Sequence, residues 1–353
     1  FSFDRASSAT VVNKDGLIET VGSGEPRIDF SNDAKGALLL EPTSTNLLTY
    51  SEDLNAAGWS TFSVDGGTVI RTSNYGISPS GEQDSTRVVF TSEFVSLSFA
   101  FSGISGDASA TTYVKGVAGE VIAFGFGPDV SFGQNFTLNG QWQRIEFNAV
   151  STNTSLNITA WGASRNAYDI EVYGVQLEQQ SYATSYIPTQ GSAITRVADV
   201  CNNAGNDQVI NSTEGVLYAE MAALANDGTN RFISLTNGVT YATNISLAFT
   251  TTTNQIRALV DIGYSLQVSI THTVSSVLDF NKVAFKFKEN DFALWINGVK
   301  VGTDLNGSVP PASYLSDLGF LRVNALSFYG KFKDSRVYDT ALTDAELQAL
   351  TTL

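Results

Sequence analysis

The sequence predicts an all-β fold: two antiparallel β-sandwich domains and one short C-terminal helix. Three observations predict it. Short apolar runs alternate with polar residues and return every eight to twelve residues or so, the rhythm of sandwich strands. The chain carries 22 Phe, 13 Tyr and 4 Trp, spaced by Thr, Ser, Asn and Gly, the make-up of strands joined by polar turns. Amphipathic helical stretches are nearly absent. At 353 residues there is length for two full cores.

The elements follow in order. Residues 1–45 read as an N-terminal lead packed on the first domain. In it, Ala9–Val12 and Leu17–Val21 form a hairpin across Asn13-Lys-Asp15-Gly16, since Asp-Gly tolerates positive φ. Gly36–Leu40, ahead of Pro42, reads as a buried strand. Residues 46–200 read as the first sandwich, with strands at Thr68–Thr72, Ser85–Phe90, Val95–Phe101, Ala110–Lys115, Val121–Gly127, Phe132–Leu138, Trp142–Asn148, Leu156–Trp161 and Ile170–Leu177. Asn139-Gly140 reads as a hairpin turn between two of them. Tyr182, Tyr186 and Ile187 are costly to leave in water, so Ala183–Thr189 is expected to be an ordered strap. Arg196-Val-Ala-Asp199 echoes Arg5-Ala-Ser, which predicts that this exit tail packs beside the N-terminal lead. Residues 201–209 read as a linker.

Residues 210–353 read as the second sandwich, with strands at Gly215–Ala223, Arg231–Thr236, Asn244–Thr250, Gln255–Asp261, Ser265–Thr271, Asn281–Lys288, Asp291–Ile296, Val299–Thr303 and Phe328–Tyr338. Asn297-Gly298 joins two of these as a type I′ hairpin. Thr343-Asp-Ala-Glu346 is a capping box that opens the single helix, Asp344–Leu350.

Charge and composition exclude several classes. A net charge of −15 and a pI near 4.4 oppose nucleic-acid binding, which needs a basic surface to displace counterions. They also disfavour anionic membranes and strongly anionic polysaccharides. No apolar run approaches the ~18 residues of a membrane span, so no membrane insertion is expected. Cys201 is the sole cysteine, which rules out an intrachain disulfide. The chain begins at Phe1 with no signal-peptide pattern, and a processed or incomplete N-terminus is the expectation.

Several segments resemble those of tailed-bacteriophage virion proteins of the tail, fibre or head-decoration type. They are Phe3-Asp-Arg5-Ala-Ser-Ser-Ala-Thr10, Asp15-Gly-Leu-Ile18, Glu25-Pro-Arg27, Glu41-Pro-Thr-Ser-Thr-Asn-Leu-Leu48 and Tyr50-Ser-Glu-Asp53 followed by Trp59. Trp142-Gln-Arg144, Gln176-Leu-Glu178, Ala183-Thr-Ser-Tyr186-Ile-Pro-Thr189 and Thr195-Arg196-Val-Ala-Asp199 continue the match. The middle block then looks like a carbohydrate-binding-module jelly roll. The C-terminal block resembles a concanavalin A-like, laminin-G-type domain through Lys282-Val-Ala-Phe-Lys286, Leu294-Trp295-Ile-Asn297-Gly298-Val299, Gly302-Thr-Asp304, and Arg336-Val-Tyr338 with Leu342-Thr-Asp-Ala-Glu346-Leu347. The resemblance implies a virion-surface protein whose partners are other virion proteins and a host-surface glycan. It also implies a homo-oligomer, with the trimer of phage fibres as the usual symmetry. Such sandwiches host binders, enzymes and scaffolds alike.

Candidate chemistry is sparse. His272 and Cys201 are the only nitrogen and sulfur ligands of their kind, which leaves too few for a zinc site. Structural calcium needs only oxygen ligands, and Asp227 in Asn226-Asp227-Gly228 and Asp304 in Asp304-Leu-Asn306-Gly307 are its candidates, against ordinary Asx turns. No Gly-x-Ser-x-Gly surrounds any serine. The Glu-x-Asp-x-x-Glu string of glucanases on the concanavalin A-like fold is missing, and Glu214…Glu220 and Glu171…Glu178 have the wrong spacing for paired carboxylates. The Gln-x-His strand of alginate-lyase-like jelly rolls is missing too. The expectation is a non-catalytic protein, with a polysaccharide depolymerase and a purely structural virion subunit as alternatives.

Glycan binding asks for flat aromatic faces beside amide or charged groups. Trp161, with Arg165 and Tyr168 in the loop that follows, is the preferred cluster. Trp59 reads as either a core plug or a platform. Alternation in Phe292-Ala-Leu-Trp295-Ile puts Trp295 on the face opposite Phe292, Leu294 and Ile296, where it is either a partly exposed binding surface or a cover over the sheet. Trp142 reads as core. Lys282, Lys286, Lys288, Lys300, Lys331 and Lys333 read as solvated strand faces that protect sheet edges.

Overall fold

The computed structural model describes residues 1–31, 33–101, 104–127, 133–151, 155–162, 164–322 and 326–353. Phe132, where one strand was expected to start, and Ala163, in the loop after Trp161, lie outside these. The fold is all-β with one short helix at the C-terminus. The chain forms two units, both discontinuous in sequence: residues 7–22 with 43–197, and residues 1–6 with 23–42 and 198–353.

The first unit is a sandwich of two five-stranded antiparallel sheets. One runs Gln134–Thr137, Val121–Gly127, Ser155–Thr159, Val95–Ala100, Trp59–Ser63. The other runs Gln143–Ser151, Gly106–Lys115, Asp169–Glu178, Thr86–Phe90, Val69–Thr72. Alternation decides which side chains go inward. Leu97, Phe124 and Ile158 from the first sheet meet Val88, Val114, Ile145 and Ile170 from the second in one buried core.

Asn139-Gly140 does not close a hairpin. Gly140 takes the positive φ expected of it, +82°, but the strands on either side belong to different sheets. The turn carries the chain across the sandwich, and a dipeptide constrains only local φ and ψ, not the partner of the strand beyond it.

The expected strap is present. Tyr186 and Ile187 are each 3% exposed. The Ile187 N–H donates to Gln176 Oε1 at 2.6 Å and the Thr184 N–H to Glu178 Oε2 at 2.9 Å. Asn46 Nδ2 donates to the Ile187 carbonyl at 2.8 Å, and the Thr189 N–H donates to Ser51 Oγ at 2.8 Å. The Gln176-Leu-Glu178 motif is thus a set of side-chain acceptors and donors for a segment that has no strand partner of its own, as buried backbone demands. Burial pushes the Glu178 carboxyl up, while hydrogen bonds from Ser44, Thr184 and Gln176 pull it down.

The second unit pairs a seven-stranded sheet with a five-stranded one. The larger runs Val299–Asp304, Phe292–Ile296, Asn281–Lys288, Glu214–Ala223, Gly330–Tyr338, Ala37–Leu40, Ile28–Asp29. The smaller runs Ser265–Thr273, Gln255–Ile262, Asn244–Phe249, Arg231–Thr236, Asp317–Gly319. Phe285, Phe287, Phe292 and Leu294 interleave with Ile233, Leu247 and Val260 between the sheets. Asn297-Gly298 is the expected hairpin: φ is +49° and +81° at the two residues, and the flanking strands pair. The helix Asp344–Thr351 carries the capping box at Thr343 and Glu346.

The expected N-terminal lead is divided. Residues 7–22 belong to the first sandwich, while 1–6 and 23–42 belong to the second. Ser2–Asp4 pairs with Val200–Asn202, and the Ala204 and Leu318 backbones bridge, so the 201–209 segment begins inside a sheet and not as a free linker. The exit tail does meet the N-terminal residues. Arg5 Nη1 donates to Asp199 Oδ1 at 3.0 Å, and the Glu41 N–H donates to Asp199 Oδ2 at 2.8 Å. Arg27 pairs with Asp199 Oδ2 and, at 2.7 Å, with Glu41 Oε2. Two arginines and two carboxylates thereby share one buried site, drawn from all three segments of the unit. Burial would lower the Arg27 pKa, but Glu41 and Asp199 more than reverse it.

Five of the singled-out lysines have carboxylate partners: Lys286 with Asp291, Lys288 with Glu214, Lys300 with Asp344, Lys331 with Asp29, and Lys333 with Asp33. Among the described residues no helix is long and apolar enough to cross a membrane.

Candidate binding surface

The expected site residues do not gather in one place. Trp59 is core: it opens the strand Trp59–Ser63, is 6% exposed, meets Phe99 edge-on at 5.3 Å and donates its indole N–H to the Tyr50 carbonyl at 3.2 Å. The platform reading fails because its strand parity matches that of the inward-facing Phe99 opposite it. Trp295 lies on the face alternation gives it, yet it is 6% exposed. Leu347 of the helix and Tyr218 and Ala293 of the sheet close over it. The exposed reading therefore fails, and the cover reading holds. The Lys300 ammonium sits 5.5 Å from the centre of its ring.

Trp142 was expected in the core and is instead half-exposed, with its indole N–H donating to the Ile77 carbonyl at 3.0 Å. Tyr168 is half-buried against the core of the first sandwich. Asp227 is engaged by Arg231, whose Nη2 lies 2.9 and 3.1 Å from its two oxygens. Burial alone would raise the Asp227 carboxyl, but Arg231 holds it below the usual range. That pairing satisfies the charge a calcium ion would have met. Asp304 accepts from the Asn306 N–H at 3.0 Å, the geometry of an Asx turn. Among the described residues no group of three or more His, Cys, Asp or Glu converges as a metal site.

Trp161 and Arg165 do come together, and they bring further residues with them. On the strand Ser155–Thr159, Leu156 and Ile158 point into the core, so Asn157, Thr159 and, by continuation, half-buried Trp161 take the opposite face of the sheet, where Asn157 and Thr159 are themselves buried. On Val95–Ala100 the core residues are Val95, Leu97 and Phe99, which turns Phe94, Ser96 and Ser98 to that same opposite face, Ser96 and Ser98 buried and Phe94 half-buried. Ser96 lies opposite both Thr159 and Phe62. Three rings therefore meet on one face: Phe94 stands edge-on to Trp161 at 5.5 Å, and Phe62, 45% exposed, lies tilted to it at 5.9 Å.

The loop after Trp161 folds Arg165 back onto this cluster. Its Nη1 donates to the Trp161 carbonyl at 2.8 Å and its Nε to Asn135 Oδ1 at 2.8 Å. Burial lowers the Arg165 pKa from the usual guanidinium value, which still leaves a cation. Phe62, Phe94 and Asn135 are not among the binding candidates that the sequence offers. The signal was faint: Phe62 shares outward parity with Ser60, and Phe94 stands one residue ahead of an inward-facing valine.

No family model matches the chain, and no curated protein matches it. Solved structures show partial likeness. The carbohydrate-binding module of the Ruminococcus gnavus IT-sialidase, bound to α2,3-sialyllactose, is 17% identical over 43% of this chain and 94% of that one, with a TM-score of 0.34. Domains LG4-5 of the mouse laminin α1 chain are 9% identical over 80% and 92%, with a TM-score of 0.28. A native glycosidic hydrolase is 11% identical over 86% and 99%, also at 0.28. What those proteins bind or cleave is a property of those proteins.

Proposed function

We propose that the chain is a non-catalytic surface protein that binds glycan through the Trp161 face of its first sandwich. One observation carries this: the rings of Trp161, Phe62 and Phe94 adjoin on the outward side of a sheet, with Arg165 and Asn135 fixed to each other at their edge. Aromatic faces attract the C–H groups of a pyranose, and a neighbouring guanidinium and amide supply polar partners for its hydroxyls. The sequence motifs shared with tailed-phage virion proteins support a place on the virion surface, among other virion proteins and facing a host glycan. The lack of paired-carboxylate and nucleophile motifs in the sequence supports a binder over a depolymerase.

A glycan array tests the reading. The expected result is a saturable ligand whose affinity falls about five- to tenfold on Trp161→Ala, the size of a lost aromatic contact. A ligand bound equally well by Trp161→Ala contradicts the site. No ligand at all, with normal particle attachment, would point to a structural virion subunit. Product release from host capsule would point to a depolymerase.

A further inference from the structure

The opposite sheet of the first sandwich carries a second constellation, independent of the Trp161 face. Val88, Val114 and Ile170 point into the core, so Arg87, Lys115, Asp169 and Glu171 take the outward side. Lys115, Glu171 and Arg87 stand in one row across three strands, directly opposite one another. Lys115 Nζ lies 3.1 Å from Glu171 Oε1, and Arg87 grips Asp169 with two bonds of 2.8 and 2.6 Å. Glu171 also accepts from Ser85 Oγ at 2.8 Å.

Tyr75 stands over this ladder with its ring 46% exposed and the Arg87 guanidinium 5.1 Å from its centre. A Cβ at neighbouring Gly76 would lie 2.3 Å from Glu171 Oε2 and would push that carboxylate aside. Tyr75, Lys115, Asp169 and Glu171, together with Val117, 62% exposed, line an open groove of about 340 Å³, and Arg87 flanks it through its grip on Asp169. The Lys115 ammonium also lies 5.9 Å from the ring centre of half-exposed Trp142.

We infer that this groove is a second saccharide site and that it takes a neutral pyranose. Its volume sits at the small end of ligand pockets, which run from about 300 to 1,000 Å³. Tyr75 and Val117 offer apolar surface for a sugar's C–H face. Lys115 donates and Asp169 accepts, so neighbouring hydroxyls, each donor and acceptor at once, find both partners along one wall. With Arg87 pairing Asp169 from beside the groove and Lys115 pairing Glu171 within it, the two cations and two carboxylates carry no net charge. A sialic or uronic carboxylate would have to break an ion pair to gain a cation and would then face Asp169 and Glu171. Hydrogen bonding from Arg87 holds the Asp169 carboxyl below the usual range, so it stays an acceptor at neutral pH.

Calorimetric or NMR titration of the full chain tests this with methyl glucoside, methyl galactoside, methyl mannoside, N-acetylglucosamine and lactose as neutral probes and 3′-sialyllactose as the acidic one. At least one neutral sugar should bind wild type and Trp161→Ala alike. Tyr75→Ala and Asp169→Asn should each weaken it about five- to tenfold, with unchanged thermal unfolding for the exposed Tyr75→Ala. No neutral sugar binding up to tens of millimolar would overturn the inference, as would neutral-sugar binding unaffected by Tyr75→Ala. A preference for 3′-sialyllactose that Tyr75→Ala abolishes would overturn its neutral-ligand half. Loss of Trp161-dependent binding alone bears on the other face and leaves these outcomes readable.

Discussion

Asp199 shows how one residue can hold a discontinuous sandwich together. It accepts from Arg5, Arg27 and the Glu41 N–H, and its own side chain and those of both arginines are fully buried. Replacing it with Ala would leave two buried guanidiniums facing one carboxylate. The expected loss is about 3–5 kcal/mol of stability, the cost of stranding a buried charge, measured by denaturant unfolding at constant pH. A loss within the ordinary surface range of about 0.5 kcal/mol would show that the site does not bind the segments together. The echo between Arg5 and Arg196–Asp199 was legible because the charges had to find partners. The tryptophans were not legible in the same way. Trp59 and Trp295 have similar exposure, yet one faces the core and the other lies beneath a helix. Trp142 stands one residue ahead of the strand Gln143–Ser151 and continues the outward parity of Arg144, so it is half-exposed, and only the partner strands reveal this. Burial also pushes the Cys201 thiol up to about 11, which makes it a packing residue and not a reactive one at neutral pH.

At the scale of the element, turn chemistry foretold conformation but not connectivity. Asn297-Gly298 and Asn139-Gly140 both supply positive φ, yet only the first joins paired strands. The capping box was read correctly because all its atoms lie within one turn of helix. The strap is the intermediate case. Its apolar residues announced burial, but the partners that hold it come from 135 and 134 residues away at Ser51 and Glu52 as well as from the strand before it: Tyr186 Oη lies 2.7 Å from Ser51 Oγ and donates to Glu52 Oε1 at 2.9 Å. Gly174 makes room for that ring. Its φ is +63°, and an added Cβ would meet Tyr186 carbons at 3.2 Å. Gly174→Ala should therefore cost about 1–3 kcal/mol and speed hydrogen exchange at the Thr184 and Ile187 amides. Unchanged exchange at those amides would mean the strap is held without this close approach.

The whole molecule departs from the simplest reading of its sequence, in which each domain is one continuous block. The strand Ala37–Leu40 lies beside Gly330–Tyr338, and Ile28–Asp29 lies beside it in turn. A fragment limited to residues 210–353 would lack these strands together with Arg27, Glu41 and Asp199. It should unfold well below the intact chain in calorimetry, whereas equal thermal stability would show that the N-terminal strands add nothing. Long-range pairing of this kind carries no local signal, since each strand's pattern only says that it is half-buried. The same limit hid Phe62, Phe94 and the Arg87–Lys115–Glu171 row, which assemble from strands far apart in sequence.

The four indole N–H signals of the chain appear separately in a two-dimensional ¹H–¹⁵N spectrum, so the Trp161 face can be followed on its own. During titration with the tightest glycan from an array, the Trp161 indole should shift saturably. Those of Trp59 and Trp295, both buried, should stay in place. Saturable binding that leaves the Trp161 signal unmoved would show that glycan binds elsewhere than on the Trp161 face.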